Sequence, residues 1–344
     1  MSETDSEISL QSLIERAVDG EDLPAAEAEA AIDQFMAGSA SPIEMAAFLT
    51  ALRAKGVAPS EVAGGVRALR KAMVPVVAAD PSILVDTAGT GGGAVTTFNI
   101  STAAALVAAG AGVAMAKHGN RSFTSRSGSA DVLEALGVVI DHTPERLARE
   151  LQEAGIVFMF APAHHPAMRH VGPVRRALGF TTLMNILGPL TNPAGARRQV
   201  IGVADPALQD LIAEALAELG HIHAMVVHGE PGMDEVSPCG ATRVVEVREG
   251  TLHDYEVTPE SCGLSRVDAS ELAGGLPAEN AETIERVLAG QVGPERTAVL
   301  LNAAAAIVVG DAAADMTEGV QRASESIDSG AAAASLERLR AATH

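Results

Sequence analysis

Two short segments carry the residue types that hold an anion. In Asp86-Thr87-Ala88-Gly89-Thr90-Gly91-Gly92-Gly93, glycines let successive backbone N–H groups turn toward one centre. The segment leads to Asn99-Ile100-Ser101-Thr102, which opens a predicted helix whose N-terminus adds partial positive charge. The second segment, Lys117-His118-Gly119-Asn120-Arg121-Ser122, comes off a predicted strand and runs into Thr124, Ser125 and Ser129. Cations, hydroxyls and amides at that density suit a pyrophosphate. Gly89-x-Gly91-x-x-Ala94 formally fits a dinucleotide fingerprint, but the ribose-binding acid expected about 20 residues further on is missing. The next carboxylate is Asp131, and no Gly-Lys-Ser/Thr follows to make a P-loop. A ligand-free strand-to-helix turn is the alternative reading of the glycines.

The distribution of charge points the same way. The 344 residues carry 24 Lys and Arg against 44 Asp and Glu, a net charge of −20, which repels nucleic acid and anionic membranes. Acids are nevertheless absent from 87–130 and from 154–204, and these stretches keep Lys117, His118, Arg121 and Arg126, and then five arginines and three histidines. Two segments converging on an anionic ligand explain this better than solvated basic faces. Lys117 is one of only three lysines, with Lys55 and Lys71. His164-His165-Pro166-Ala167-Met168-Arg169-His170 has no carboxylate or cysteine nearby, so a metal site is not expected there. Cys239 and Cys262 form no cluster and fit free thiols in a reducing cytosol. The N-terminus MSETDSE lacks a basic-then-apolar signal pattern, and the longest apolar runs are too short to span a bilayer, so a cytoplasmic, non-membrane protein is expected.

The elements that must position these residues alternate. Residues 8–73 read as helices only, the clearest opening at Ser41-Pro42-Ile43-Glu44 with a capping box and stopping at Gly56. Strands are predicted at 83–86, 113–116, 157–160, 200–203 and 224–227. Helices are predicted at 99–109, 130–136, 144–154 and 208–219, a hairpin at 242–258, and three or four helices close the chain. That pattern gives an α/β protein with a largely parallel sheet and helices on its faces.

The ordered motifs make the chain recognisable. Gly89-Thr90-Gly91-Gly92, Asn99-Ile100-Ser101-Thr102, Lys117 to Arg121, Gly128-Ser129-Ala130-Asp131, His165-Pro166-Ala167-Met168, Leu187-Gly188-Pro189-Leu190-Thr191-Asn192-Pro193 and Asp234-Glu235 occur along nearly the whole chain. In this it resembles the anthranilate phosphoribosyltransferase family of tryptophan biosynthesis. The resemblance implies a nucleoside phosphorylase-like phosphoribosyltransferase fold. A small helical domain, 1–74, would be joined in space by helices from about 166–190, and a large α/β domain would take 75–344. It also implies a homodimer, the substrates anthranilate and phosphoribosyl pyrophosphate, and about two magnesium ions per monomer.

Carried over residue by residue, the resemblance surrounds phosphoribosyl pyrophosphate with Gly89, Thr90, Gly91, Gly92, Gly93, Thr97, Asn99, Ile100, Ser101 and Thr102. Lys117, His118, Gly119, Asn120, Arg121, Ser122, Thr124, Ser125 and Ser129 complete that set. Anthranilate would meet Gly89, Asn120, His165, Arg175 and Gly188, the arginine suiting its carboxylate. Magnesium would be held by Ser101, Asp234 and Glu235, and no residue is expected to act as a dedicated acid or base. The chain departs from the family pattern at Gly93, where Asp is usual, at Thr124, where Ser is usual, and at Thr181, where Arg is frequent. Two rivals are a pyrimidine nucleoside phosphorylase of the same architecture and a non-catalytic relative that binds nucleic acid.

Overall fold

The computed structural model describes residues 9–122 and 126–344, so Thr124 and Ser125 lie outside the described residues. Four helices come first: Leu10–Val18, Ala25–Ala37, Pro42–Lys55 and Pro59–Ala72. The capping box at Ser41 forms as expected, with Ser41 Oγ accepting the Glu44 N–H and the Glu44 carboxylate accepting the Ser41 N–H. Phe35 and Phe48 meet edge to face at the centre of this bundle, with ring centroids 5.7 Å apart. Helices Met168–Leu178 and Leu183–Ile186 pack on it through Val171, Val174, Leu183 and Met184, in one buried cluster with the N-terminal helices.

Among the described residues seven strands build one sheet: β1 Val85–Gly89, β2 Met115–Gly119, β3 Ile156–Phe160, β4 Arg198–Gly202, β5 His223–Gly229, β6 Thr242–Arg248 and β7 Thr251–Val257. Their order is β3-β2-β1-β4-β5-β6-β7; the first five are parallel, and the β6–β7 hairpin adds antiparallel at the edge. Helix Ile100–Gly110 carries the chain from β1 to β2, and Leu208–Glu218 carries it from β4 to β5. Strand order therefore reverses at β1, and the crevice beyond the strand C-termini there is where α/β sheets place ligands.

Two of the boundaries that differ from the sequence reading bear on the site. Residues 81–83 form a 3-10 turn capped by Asp80, which delays β1 to Val85. Strand β2 continues to Gly119, past the expected end at 116. Lys117 and His118 look like loop residues by polarity, yet both are buried, at 4% and 8% exposure. Their main chain pairs with Phe158 and Met159 of β3, so the ladder overrides their polarity. Four helices close the chain, Pro277–Leu288, Pro294–Val309, Met316–Asp328 and Ala331–Thr343. Helix Pro294–Val309 is buried over nearly its whole length and covers the sheet beside Ile100–Gly110. Among the described residues no helix is long and apolar enough to cross a membrane.

Candidate active site

The glycine loop leaves β1 and is held by the segment that follows β5. The Gly91 N–H donates to Asp234 Oδ2 at 2.9 Å, so an anionic oxygen already sits on one amide of the loop. Thr90 N–H reaches the Gly202 carbonyl at 2.9 Å, and Ala94 N–H the Gly232 carbonyl at 2.8 Å. Close approach explains two of the glycines. A Cβ on Gly89 would lie 2.6 Å from Asp234 Oδ2, and one on Gly202 only 1.7 Å from the Asp234 carbonyl. Gly91 and Gly92 adopt φ of 70° and 82°, a left-handed turn that glycine takes without strain. Gly93 has ordinary φ, but a Cβ there would stand 3.1 Å from Asp234 Oδ1.

Ser101 and Lys117 stand behind this loop. Lys117 Nζ donates to the Thr87 carbonyl at 2.5 Å and lies 3.2 Å from both Thr87 Oγ1 and Ser101 Oγ. Burial lowers its pKa, while the charges of Asp86 and Glu235 work the other way. The Glu235 carboxylate faces the Ser101 backbone N–H at the N-terminus of helix Ile100–Gly110. Its pKa is pushed up to about 8, first by burial and then by the negative charge of Asp234, with Lys117 and the Ser101 N–H opposing. Two adjacent carboxylates, one of them driven toward protonation, form a site short of positive charge. Among the described residues no three His, Cys, Asp or Glu side chains converge as a metal cage. Two carboxylates and a hydroxyl facing an anion loop fit magnesium, which takes few protein ligands and completes its shell with water and substrate phosphates.

On β2 successive side chains face opposite sides of the sheet. Lys117 turns to the helix Ile100–Gly110 side, and His118 turns away from it to meet His165, the two ring centroids 5.1 Å apart and tilted by 54°. The Gly188 main chain lies beside the His118 ring, and that of Thr191 beside the His165 ring, each nudging its neighbour's pKa upward. Among the described residues, Nε2 of each ring is buried without a partner. Burial, reinforced by neighbouring histidines, holds both rings neutral: His165 falls to about 4, and His118 drops well below the usual histidine range. Arg175, on helix Met168–Leu178, is half-buried, and burial alone lowers its pKa; among the described residues it has no carboxylate partner.

The remaining sequence-derived residues divide. Asn99 bridges Ser127 and Asn280, its Oδ1 accepting from Ser127 Oγ at 3.1 Å and Asn280 Nδ2 at 2.9 Å. Ser129 Oγ donates to the Asn120 carbonyl at 3.2 Å, and Ser122 N–H to Asp131 at 3.2 Å, which shapes the loop around Gly119. Thr97 lies in a bridge with Ala273. Thr102 is turned into the core and is 2% exposed, so only its main chain faces the helix N-terminus with Ile100 and Ser101. Arg121 is taken up by Asp131 at 2.8 Å and Glu134 at 2.5 Å, away from the glycine loop. Sequence reasoning missed Gly202, Gly232 and Asn302. Asn302 pins the chain next to Glu235 by accepting the Val236 N–H and donating to its carbonyl, at 2.8 and 2.9 Å. A lone Asn inside the apolar run 298–310 was the available signal.

Known proteins match both parts of the chain. Residues 81–333 match the glycosyl transferase family α/β domain, and residues 11–73 match its helical bundle domain. The anthranilate phosphoribosyltransferase of Symbiobacterium thermophilum is 50% identical over 335 residues, 97% of this chain and 98% of the relative. The crystal structure of anthranilate phosphoribosyltransferase from Thermus thermophilus superposes with a TM-score of 0.91 at 46% identity, covering 96% of this chain and 99% of that one. The Saccharomyces cerevisiae enzyme, solved in complex with PRPP and Mg, gives 0.88 at 28% identity over 98% of both chains. Matched in both domains and along almost its full length, the chain belongs to the anthranilate phosphoribosyltransferase family.

Proposed function

We propose that the chain transfers the phosphoribosyl group of 5-phosphoribosyl 1-pyrophosphate to the amine of anthranilate, giving N-(5-phosphoribosyl)anthranilate and pyrophosphate, the second step of tryptophan synthesis from chorismate. The observation that carries this reading is the split at Lys117 and His118. One side of β2 leads to an anion loop with an acid pair, the other to neutral imidazoles and an unpaired guanidinium. Those are sites for two different molecules, a polyanion and an aromatic carboxylate.

The anthranilate amine is neutral at pH 7 and attacks the anomeric carbon as pyrophosphate leaves. The chain's work is therefore orientation and charge stabilisation. The amides of the loop from Gly89 to Gly93 and the N-terminus of helix Ile100–Gly110 receive the pyrophosphate. Asn99, Asn120, Ser122 and Ser129 shape the surrounding loops, and Lys117 supplies positive charge from below. Arg175 pairs with the anthranilate carboxylate, while the Gly188 turn and His165 enclose the ring. Magnesium, held by Asp234, Glu235 and the Ser101 hydroxyl, would neutralise charge on the departing pyrophosphate. The unpartnered Nε2 atoms of His118 and His165 are acceptors suited to an amine N–H, and water or the substrate's own carboxylate takes the proton.

The same reading divides the chain into a helical domain, 1–74 with 166–190, and an α/β domain, 75–344, supported by the cluster that joins the N-terminal helices to Val171, Val174 and Leu183. It extends to a cytoplasmic homodimer with no nucleic-acid or membrane partner, in keeping with a charge of −20. Anthranilate fluorescence tests the reaction: it should be consumed only when phosphoribosyl pyrophosphate and magnesium are both present. Consumption that continues in excess EDTA removes the metal assignment, and phosphorolysis of thymidine would reveal the rival phosphorylase.

A further inference from the structure

On one side of β1 the sheet is complete and on the other it is open. All five residues of β1 pair with β4, whereas its register with β2 among the described residues is the single pair Val85↔Met115. Side chains fill the gap. Asp86, fully buried, accepts the His118 N–H at 3.0 Å through Oδ1 and Asn192 Nδ2 at 2.8 Å through Oδ2. Asn192 Nδ2 also donates to the Ala116 carbonyl at 2.8 Å, and Asn192 Oδ1 accepts the Ala194 N–H at 2.9 Å. Gln199 Nε2 donates to the Pro189 carbonyl at 2.9 Å and lies 3.5 Å from Asp86 Oδ2. The Ala116 carbonyl and the His118 N–H are the two groups that would flank one partner residue in a parallel ladder. Here a carboxylate of β1 and an amide of the 187–193 turn replace that partner.

We propose that Asp86 and Asn192 are positioning residues that hold the end of β2 at a fixed spacing from the 187–193 turn, and so align His118 with Gly188 across the acceptor site without touching either substrate. The inference rests on reading that site as the place of anthranilate. A carboxylate is needed at 86 because both groups facing it, the His118 N–H and Asn192 Nδ2, are donors. A backbone ladder would instead draw β1 and β2 together and close the crevice beyond their C-termini. The paired side chains satisfy the buried backbone groups while keeping the strands apart.

The test is an exchange. Asp86→Asn puts an amide N–H against a donor, and Asn192→Asp puts carboxylate against carboxylate. Each should raise the anthranilate KM about 10- to 100-fold, the consequence of one unpaired buried polar group, while the phosphoribosyl pyrophosphate KM stays within about threefold. In Asp86→Asn/Asn192→Asp the amide at 86 again faces a carboxylate at 192, although the Ala116 carbonyl loses its donor, so the double variant should be less impaired than the product of the two singles. Equal effects on both KM values, wild-type kinetics in the single variants, or a double variant as poor as the product of the singles would overturn the proposal. Should Asp86→Asn not fold, Asn192→Ala breaks the same bridge from the turn. The His118 imidazole NMR resonance, which needs no turnover, must move in Asn192→Ala; an unmoved resonance also overturns it. A wild-type enzyme inactive on anthranilate would instead refute the functional reading, so the two failures are told apart.

Discussion

Lys117 and His118 are neighbours in sequence and serve opposite sides of the sheet. The side of Lys117 is built from glycine amides, a helix N-terminus and two carboxylates, with the Gly91 N–H already on an Asp234 oxygen. The side of His118 is built from buried rings and an arginine, with polar atoms left unpaired. The first is organised by charge, and in the proposed function it takes a cation and a polyanion. The second is organised by packing and exclusion of water, and its rings stay neutral. In the proposed function, strand alternation would let two adjacent residues divide two substrates between them at the same strand end.

The largest effect should follow from damaging the charged side. Asp234 both buttresses the glycine loop and belongs to the acid pair. Asp234→Ala should therefore lower kcat/KM by about 10²- to 10³-fold, as loss of a preorganised electrostatic group does. Steady-state rates at saturating anthranilate check this. A loss of less than about tenfold, roughly 1.4 kcal/mol, would mean that the loop is held by its other contacts.

Gly93 offers a smaller perturbation of the same side. An Asp side chain there would begin 3.1 Å from Asp234 Oδ1 and bring a third carboxylate to the pair. Gly93→Asp should make the rate newly sensitive to magnesium, with inhibition at high metal of about a few-fold. Gly93→Ala meets the same crowding without the charge and should keep the wild-type magnesium curve. Titrations of the three proteins separate charge from shape, and a wild-type curve for the Asp variant would deny the position any electrostatic role.

The smallest expected effect is that of pH on the packed side. Histidine ordinarily titrates near 6.5, but the folded-state pKa of His165 is about 4 and that of His118 is also depressed. Protonation of His165 therefore falls below pH 5, and burial keeps both rings neutral as the pH passes through the usual histidine value. The anthranilate KM should stay flat from pH 8 down to pH 5. A rise through pH 6.5 in a pH series would show that at least one ring is exposed to protonation. The sign for stability is the reverse of a salt-bridged histidine. As pH falls through 6.5 the unfolded chain takes up protons that His165 cannot, and this costs about 1.4 kcal/mol per pH unit until its own pKa is reached.

What the sequence disclosed follows the same division. Glycine spacing, the capping box at Ser41 and the alternation of strands and helices are local signals, and each reads through to the structure. The anion loop was legible from its residue types, whereas Asp234 and Glu235 gained meaning only through family resemblance, since adjacent acids in a loop are common on any surface. His118 and Arg121 were grouped with the phosphate contacts because they stand beside Lys117, but the ring turns to His165 and the guanidinium to Asp131 and Glu134. Taking β2 to end at 116 hid the period-2 alternation that separates Lys117 from His118. Asp86 and Asn192 carry no local sign at all. Their partnership spans 106 positions and depends on a gap in the sheet that exists only after folding.

The division of substrates is tested most directly by one variant, Arg175→Ala, assayed with each substrate varied in turn. Removing an arginine that binds a carboxylate costs about 1.5 to 3 kcal/mol, so the anthranilate KM should rise roughly 10- to 150-fold. The phosphoribosyl pyrophosphate KM, set on the other side of β2, should stay at its wild-type value. Equal increases for both substrates, or an increase confined to phosphoribosyl pyrophosphate, would contradict the assignment of the two sides.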